Sequence, residues 1–261
     1  MSDLEFIGKT ALITGAAGGI GTAIARQLAA AGVQLALLDK DGDALMAVAA
    51  ELSDYNVPVE TLVVDLCDPH SIASAVTAAE EALGEIDFLA SVAGYLKAGV
   101  HEQITVDDWN KHFDINARGL FFVTQAVLEK MRPRRRGAIV AITSNAAFVP
   151  RQGMVAYAAS KAAAEALMKC ISLEVAPMGI RCNTVAPGST NTEMLRSLWL
   201  DDNGRERTLG GDPESFRLGI PLRRIADPED IANAVVFLLS ERAKHVTLHT
   251  MTIDGGASLG A

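Results

Sequence analysis

The stretch that decides the fold is Lys9-Thr10-Ala11-Leu12-Ile13-Thr14-Gly15-Ala16-Ala17-Gly18-Gly19-Ile20-Gly21. Its first six residues predict a short strand, and a segment with helical spacing follows the last glycine. Glycines let the backbone approach a pyrophosphate, whose charge then lies at the helix N-terminus. A tight turn alone would also use glycines, but the order strand, glycine turn, helix favours a dinucleotide-binding loop. Its candidate residues are Gly15, Gly19, Ile20 and Gly21.

The next predicted strand, Gln34–Leu38, ends in Asp39, eighteen residues after Gly21. A carboxylate there accepts hydrogen bonds from the adenosine ribose and repels a 2′-phosphate. The competing role, capping the following helix, can be filled by Asp41 alone. We therefore predict that Asp39 binds the ribose and that the cofactor is NAD, although the adjacent Lys40 leaves NADP open.

Strands and helices alternate through the rest of the chain. The further predicted strands are Glu60–Val64, Asp87–Ser91, Ala138–Ile142, Arg181–Val185 and Val246–Ile253, and the last helix is Pro228–Leu239. This alternation predicts an α/β fold, a Rossmann-type, doubly wound parallel sheet of about seven strands with helices on both faces. Nothing resembles a linker, so one domain is predicted over 1–261. Ligands of such folds bind at the carboxyl ends of the strands.

Small or polar residues stand at several of these strand ends. Asp65 can hydrogen-bond an adenine amine or cap the loop before Pro69. The other candidate cofactor contacts here are Leu66, Ala93, Gly94, Pro187 and Gly188. Asn116 falls in a helix that begins near Thr105. A buried Asn needs partners, so it either satisfies a helix kink or holds a water near Lys161.

The stretch from Ser144 to Lys161 carries the predicted chemistry. Tyr157 and Lys161 are four residues apart, so a helix places them one above the other. An ammonium beside a phenol favours the phenolate and lowers the phenol pKa. Tyr157 is therefore a candidate general base, and Ser144 can hydrogen-bond the same substrate oxygen. An ordinary helix with one Tyr and one Lys is the competing interpretation. The long polar connection from Ser189 to about Leu222 predicts a substrate lid.

Composition excludes several classes of function. The formal net charge of −9 argues against a nucleic-acid partner or an anionic membrane surface. The first residues lack signal-peptide character, and no apolar run is long enough to span a membrane. The three cysteines are expected to be buried free thiols of a cytoplasmic protein. No metal site is predicted, and His245 and His249 are interpreted as a surface pair on one strand face.

These residues occur in the order and at the spacings of the short-chain dehydrogenase/reductase superfamily, which the chain resembles over essentially its whole length. The matching positions are Thr14-Gly15-x-x-x-Gly19-x-Gly21, Asp39, Asp65, Ala93-Gly94, Asn116, Ser144, Tyr157-x-x-x-Lys161 and Pro187-Gly188. The resemblance implies catalytic roles for Asn116, Ser144, Tyr157 and Lys161, and it implies that Tyr157 and Lys161 also contact the cofactor. One position departs from the family: Ser91-Val92 replaces a pair of asparagines, so a hydrogen bond in the central sheet must be replaced or lost.

The second half is similar to 2,3-dihydro-2,3-dihydroxybenzoate dehydrogenases of catecholate siderophore biosynthesis. The motifs are Pro150-Arg151-Gln152-Gly153-Met154, Pro187-Gly188-Ser189-Thr190, Leu198-Trp199, Gly219-Ile220-Pro221-Leu222 and the ending Asp254-Gly255-Gly256-x-x-Leu259-Gly260-Ala261. This resemblance implies NAD-dependent oxidation of a carboxylated cyclic diol, then aromatisation, by a homotetramer. The predicted substrate contacts are Ser144, Arg151, Met154 and Tyr157, with Arg151 as carboxylate anchor unless it points to solvent or pairs with an acid. A reductase of 3-oxoacyl-type ketones, another dihydrodiol dehydrogenase and a non-catalytic relative stay open as alternatives.

Overall fold

The computed structural model describes residues 5–199 and 201–260. Within these residues, seven parallel strands form one sheet in the order β3-β2-β1-β4-β5-β6-β9. Their bounds are β1 Thr10–Thr14, β2 Gln34–Asp39, β3 Val59–Val63, β4 Ile86–Ser91, β5 Gly137–Ile142, β6 Ile180–Pro187 and β9 Thr250–Ile253. The strand order reverses between β1 and β4, and this reversal opens a crevice at the carboxyl edge of the sheet. The predicted fold class and strand number are confirmed.

Helices connect the strands and cover the sheet. They are α1 Gly19–Ala30, α2 Gly42–Glu51, α3 Pro69–Leu83, α4 Val106–Phe113, α5 Leu120–Arg134, α6 Val155–Val175, α7 Glu193–Arg196, α8 Gly204–Gly210 and α9 Pro228–Leu239. The last helix has the predicted bounds. Helix α4 begins after Thr105, whose hydroxyl accepts from the Asp108 backbone while the Asp108 carboxylate accepts from the Thr105 backbone. This capping box explains why the chain starts a helix at that residue.

Two hydrophobic cores lie on opposite faces of the sheet. In β2, Leu35 and Leu37 face the core shared with α1, α2 and α9. Ala36 and Leu38 face the core shared with α3, α5 and α6. Successive strand residues point to opposite faces, so a strand buried on both faces is apolar throughout. This arrangement holds the carboxyl ends of the strands rigidly, and the functional residues are found there.

The connection between Ser189 and Leu222 is more regular than expected. It contains α7, α8 and an antiparallel hairpin of two short strands, β7 Gly211–Asp212 and β8 Arg217–Leu218. The Thr192 hydroxyl accepts from the Leu195 backbone and caps α7. The Trp199 indole donates to the Thr208 hydroxyl at 3.2 Å and ties α8 to the segment before it. The periodicity of apolar residues in the sequence does not predict such side-chain contacts.

The expectation of a strand over Val246–Ile253 is wrong in its first half. The strand begins only at Thr250, because Leu248 has a φ of 59°, which no strand residue can adopt. His245 and His249 therefore share no strand face. Within residues 5–199 and 201–260, no group of three or more potential metal-ligating side chains is found.

The cysteines are unpaired but differ in burial. Cys182 is buried and Cys67 is half-buried, whereas Cys170 is exposed. The expectation of three buried thiols is wrong for Cys170, which the helical period turns to the solvent side of α6. In the described part of the chain no helix has both the length and the apolar character needed to cross a membrane. Met1 to Leu4, part of the segment judged to lack signal-peptide character, lie outside the described residues.

Candidate active site

The glycine loop after β1 has no room for side chains. Gly15 has a φ of 64°, and a Cβ there would lie 2.7 Å from the backbone of Ala93. A Cβ on Gly21 would lie 2.1 Å from the Gly15 carbonyl oxygen. Helix α1 begins after Gly18, and no side chain caps it. The first amide groups of α1 are therefore open to an anion, as a pyrophosphate-binding loop requires.

Asp39 stands at the end of β2, beside this loop. Its carboxylate accepts from the Ala17 backbone at 3.1 Å and from the Asp41 backbone at 3.2 Å. Asp41 itself caps α2, because its Oδ1 accepts from the Ala44 backbone at 3.0 Å. The capping role is thus filled without Asp39. The Asp39 carboxylate lines the crevice, held next to the loop by the Ala17 amide.

One cavity of about 430 Å³ joins the predicted residues from the glycine loop to Tyr157, the predicted general base. The predicted residues that line it are Gly15, Gly19, Ile20, Gly21, Asp39, Asp65, Leu66, Ala93, Gly94, Ser144, Arg151, Met154, Tyr157, Lys161, Pro187 and Gly188. Only Asn116 of the candidates is not among its lining residues. Because these residues come from the segments after six strands and from the start of α6, the fold itself assembles the site.

Tyr157 and Lys161 lie in the first two turns of α6, both buried. The Lys161 ammonium nitrogen is 5.9 Å from the centre of the Tyr157 ring and donates to the Ile142 carbonyl at 2.9 Å. Ser144 follows β5 directly after Thr143, and its hydroxyl accepts from the Ala146 backbone at 3.1 Å. The end of β5 and the start of α6 therefore bring the three predicted groups to one wall of the cavity.

Burial dominates the ionisation of this pair. Burial raises the pKa of Tyr157, while the Ser144 hydroxyl and the Arg151 charge act in the opposite direction. Burial also lowers the pKa of Lys161 to about 8, against the effect of the Glu165 charge. The expected lowering of the Tyr157 pKa is therefore wrong for the chain by itself. Desolvation disfavours both charged forms and outweighs the neighbouring groups.

Asn116 lies behind Gly94 in a π-helical segment, Asp114–Gly119, between α4 and α5. Its amide oxygen accepts from the Tyr95 backbone at 2.8 Å, and its amide nitrogen donates to the Tyr95 carbonyl and the Ser160 hydroxyl at 2.9 Å each. A Cβ built on Gly94 would lie 3.3 Å from the Lys161 nitrogen and 3.5 Å from the Asn116 oxygen. Of the two expectations, the helix irregularity is present, and Asn116 in it satisfies the Tyr95 backbone.

The Thr14 side chain joins β1 to the turn after β4. Its hydroxyl oxygen is 3.1 Å from the Val92 nitrogen, 3.3 Å from the Ala93 nitrogen and 3.4 Å from the Ser91 hydroxyl. The backbone amides after β4 are thus satisfied from β1. The joint between β1 and β4 is therefore hydrogen-bonded at the point where Ser91-Val92 departs from the family pattern.

Two arginines face the substrate end of the cavity. Arg151 donates to the Asn145 amide oxygen at 2.7 Å, and Arg217 of the hairpin donates to the Ser189 hydroxyl at 3.0 Å. Among the described residues neither guanidinium forms an ion pair. Burial lowers the pKa of both, and the charge of Arg217 lowers that of Arg151 further. Such a site attracts an anion.

The sequence analysis did not identify Arg217 or the residues that orient the Arg151 guanidinium. Asn145 is fully buried, and its amide nitrogen donates to the Asp254 carboxylate at 3.0 Å. Asp254 follows β9, so residues from two strand ends orient one guanidinium. Arg217 lies in a segment where no motif singled it out. A polar side chain directly after Ser144 was a signal that could have found Asn145, whereas Arg217 required the fold of the lid.

The chain is similar to a known protein family and to named bacterial proteins. A protein-family model described as enoyl-(acyl carrier protein) reductase matches residues 15–258. A Bacillus subtilis (strain 168) protein named 2,3-dihydro-2,3-dihydroxybenzoate dehydrogenase is 45% identical over 253 residues, which cover 97% of each chain. A protein of the same name from Escherichia coli (strain K12) is 39% identical over 258 residues, covering 99% of this chain and 100% of that protein.

Solved structures are similar over the same range. Levodione reductase has a TM-score of 0.91 at 32% identity, covering 98% of this chain and 100% of its own. NAD⁺-bound xylitol dehydrogenase has a TM-score of 0.87 at 32% identity, covering 97% of this chain and 100% of its own.

The fold and the site define a Rossmann-type oxidoreductase, and the side-chain-free glycine cradle with its open helix N-terminus fits a nicotinamide dinucleotide. The matching family model and the relatives agree with this class. The chain belongs to the short-chain dehydrogenase/reductase family.

Proposed function

We propose that this protein oxidises 2,3-dihydro-2,3-dihydroxybenzoate to 2,3-dihydroxybenzoate with NAD. The observation that carries the proposal is the pair Arg151 and Arg217, two half-buried guanidiniums without an acidic partner among the described residues, in the same cavity as Tyr157. A largely apolar pocket rejects an unpaired carboxylate. Two guanidiniums make it selective for a carboxylated ring. The names of the two relatives at 45% and 39% identity support the same substrate.

In this mechanism Tyr157 takes the proton of the substrate hydroxyl, and Ser144 orients the hydroxyl oxygen. The glycine loop and Gly188 would hold a nicotinamide dinucleotide, which would supply the acceptor for the hydride of the carbinol carbon. Lys161 holds its ammonium behind Tyr157 and favours the phenolate. Asn116 fixes the turn at Tyr95 against this lysine. The ketone that forms in the dihydrodiol ring tautomerises to the catechol.

NAD is the proposed cofactor because of the Asp39 carboxylate. It stands at the end of β2 beside the glycine loop, where the adenosine ribose of a bound dinucleotide would lie. A 2′-phosphate there would meet a negative charge held in place by the Ala17 amide. Asp65 and Leu66 after β3 are proposed to contact the adenine.

The segment from Ser189 to Leu222 is proposed to be the substrate lid. It carries Arg217 on a hairpin that approaches the strand ends, while Arg151 belongs to the fixed loop after β5. A carboxylate bound between the two guanidiniums would relieve their mutual repulsion, which lowers the pKa of Arg151. Substrate binding and lid position are therefore linked in this proposal.

Single substitutions to methionine test the carboxylate site, because methionine keeps most of the stem and deletes the charge. Arg151→Met and Arg217→Met should each lower kcat/KM for the carboxylated dihydrodiol at least tenfold. Both should change little for an uncarboxylated cyclic diol. Arg207→Met is the matched control, because this exposed lid arginine pairs with Asp201.

Equal losses on both substrates would make the two arginines structural. Higher activity of the unsubstituted protein on an uncarboxylated diol or on a 3-oxoacyl-type ketone would overturn the substrate and favour those alternatives. In that case the two guanidiniums would need another anionic group as ligand.

We also propose a homotetramer located in the cytoplasm. The resemblance to 2,3-dihydro-2,3-dihydroxybenzoate dehydrogenases implies the tetramer, and exposed apolar side chains such as Trp109 on α4 and Leu173 on α6 suit a subunit interface. The three unpaired cysteines suit a reducing compartment. Light scattering of the purified protein measures the mass, and a monomeric mass at micromolar concentration would contradict the proposal.

A further inference from the structure

A buried carboxylate lies beneath the active site and has no role in the proposed mechanism. Glu165 is four residues after Lys161 on α6, so the two side chains follow each other on one face of the helix. It is 4% exposed. Its Oε1 accepts from the Thr143 hydroxyl, and its Oε2 accepts from the hydroxyls of Thr184 at 3.0 Å and Thr250 at 2.8 Å.

These three hydroxyls come from three neighbouring strands. Thr143 follows β5 and lies between Ile142, whose carbonyl accepts from Lys161, and Ser144. Thr184 lies in the middle of β6, and Thr250 begins β9. Glu165 therefore connects β5, β6 and β9 next to the wall of the cavity that Thr143 and Ser144 line.

Hydrogen bonds from these hydroxyl groups do not need a charged acceptor. A neutral amide could accept and donate the same bonds without the cost of burying a carboxylate. Within residues 5–199 and 201–260, Glu165 forms no ion pair that would offset this cost. The charge itself therefore requires an explanation.

We propose that Glu165 is a positioning residue whose negative charge keeps Lys161 protonated, so that the proton lost by the Tyr157–Lys161 pair comes from the tyrosine. The inference rests on the roles proposed above for these two residues. It assigns to Glu165 no contact with substrate or cofactor.

The reason lies in how two buried, interacting groups titrate. Loss of one proton from the pair leaves either a phenolate beside an ammonium or a phenol beside a free amine. Only the first form can accept the substrate proton. Burial lowers the pKa of Lys161 to about 8, and the Glu165 charge acts against burial. Its attraction is strong because the site has little water to screen it.

Few other ionisable groups surround the pair. The Arg151 guanidinium, from the loop after β5, acts on Tyr157. The His112 ring, from α4, lies 6.4 Å from the Tyr157 ring, centre to centre. The Lys161 ammonium itself donates to the neutral Ile142 carbonyl of β5. In the described part of the chain, Glu165 is the negative charge that acts on Lys161.

The first test follows the side chain of Lys161 by NMR in the cofactor-free protein with ¹³C-labelled lysine. The Lys161 signal is identified by its absence in Lys161→Met. The midpoint of its pH titration should lie near the pKa of about 8 in the native protein. This midpoint should fall by about one pH unit in Glu165→Gln. Thr250→Val removes one hydroxyl and keeps the charge, so its midpoint should stay. An unchanged or higher midpoint in Glu165→Gln would overturn the proposal.

The second test is the pH profile of kcat/KM for oxidation. In Glu165→Gln the rising limb should move to lower pH, because the pair loses its first proton more easily. The plateau should also fall several-fold, because the lost proton now comes mainly from the lysine. Glu165→Asp keeps the charge and should leave the limb near its native position. A residue with a purely structural role would lower the plateau and Tm without moving the limb, and this result would refute the proposal.

The two tests separate this inference from the proposed function. A native protein that is inactive on the dihydrodiol, yet shows the shifted Lys161 midpoint, refutes the substrate and not the role of Glu165. An active protein without the shift refutes the role of Glu165 alone.

A second variant covers the case in which Glu165→Gln does not fold. Replacing the carboxylate and two donors together, in Glu165→Leu with Thr184→Val and Thr250→Val, leaves an apolar cluster of similar volume. Thr143 keeps a partner in this variant, because its hydroxyl also reaches the Val185 carbonyl at 3.2 Å. The Lys161 midpoint should fall as in Glu165→Gln, and a native midpoint would again overturn the proposal.

Discussion

Asp39 shows how a single carboxylate can select a cofactor. Replacing Asp39 with Ser removes the charge and should narrow the preference for NAD over NADP at least tenfold, because a like-charge contact in a partly desolvated site costs several kcal/mol. The ratio of kcat/KM values for the two cofactors measures this change. Asp41→Ser, at the cap of α2, is the control and should leave the ratio unchanged. Equal use of both cofactors by the native protein would assign Asp39 a purely structural role.

Tyr157→Phe separates chemistry from cofactor binding. The change deletes one hydroxyl that forms no hydrogen bond essential to α6, so fold and NAD affinity should persist. Turnover should fall by at least two orders of magnitude, because the proton acceptor is gone. Lys161→Ala should weaken both turnover and NAD binding, because Lys161 lines the cavity and the resemblance implies that it also contacts the cofactor. Circular dichroism, NAD titration and kcat measure the three properties, and near-native turnover of Tyr157→Phe would eliminate the mechanism.

Residues that act through a local spacing could be predicted from the sequence. Tyr157 and Lys161 are one helical turn apart, and the structure brings them together with Ser144 in one cavity. Arg217 could not be predicted, because only the folded hairpin brings it to the cavity that Arg151 lines. Glu165 carried a signal that was overlooked, a carboxylate in an alanine-rich helix four residues after the key lysine. The direction of the Tyr157 pKa shift also depended on burial, which the sequence does not give.

At the scale of elements, helix bounds were easier to predict than helix type. The sequence predicts the capping box of Thr105 and Asp108 and the start of α9. It does not predict the π-helical turn Asp114–Gly119, because the residues of this turn have no distinctive propensity. Its last residue, Gly119, packs closely: a Cβ there would lie 2.9 Å from the Leu66 side chain. Close packing between this segment and the loop after β3 thus accompanies the irregular turn that carries Asn116.

The joint between β1 and β4 gives a prediction about stability. Thr14→Val keeps the shape of the side chain and deletes the hydroxyl, leaving the Ala93 amide without its bond. The free energy of unfolding should fall by about 1–2 kcal/mol, the cost of an unsatisfied buried donor. Thr61→Val on β3 is the control, because its hydroxyl contacts only the Met46 sulfur. Urea denaturation measures both. Equal, small effects would show that the Thr14 hydroxyl does not stabilise the joint between β1 and β4.

For the whole molecule, strand alternation was enough to predict the sheet. Strands such as Leu35–Leu38 are apolar on both faces, and this pattern requires helices on each side. The lid was the exception. Its helices are short and held by single side-chain contacts such as Trp199 to Thr208, and short elements leave little periodicity to detect. The strand β9 was overextended for a related reason, since a single left-handed residue, Leu248, stops it.

Because the cavity draws on strand ends from β1 to β6, cofactor binding should stabilise the entire domain. NAD at about a hundredfold excess over its Kd should add about 2.7 kcal/mol and raise Tm by about 5 to 10 °C. Gly21→Ala should abolish this rise, because its Cβ would lie 2.1 Å from the Gly15 carbonyl oxygen. Gly210→Ala has no atom within 4 Å of its Cβ and is the control.

Each variant is compared with its own Tm without NAD, so a loss of intrinsic stability does not obscure the result. A melting curve that shifts equally in Gly21→Ala and in the native protein would mean that the glycine loop does not hold the cofactor.

The same measurement with NADP tests the role of the Asp39 carboxylate. NADP should raise the native Tm less than NAD at the same concentration, and the difference should shrink in Asp39→Ser, because affinity and stabilisation are linked by mass action.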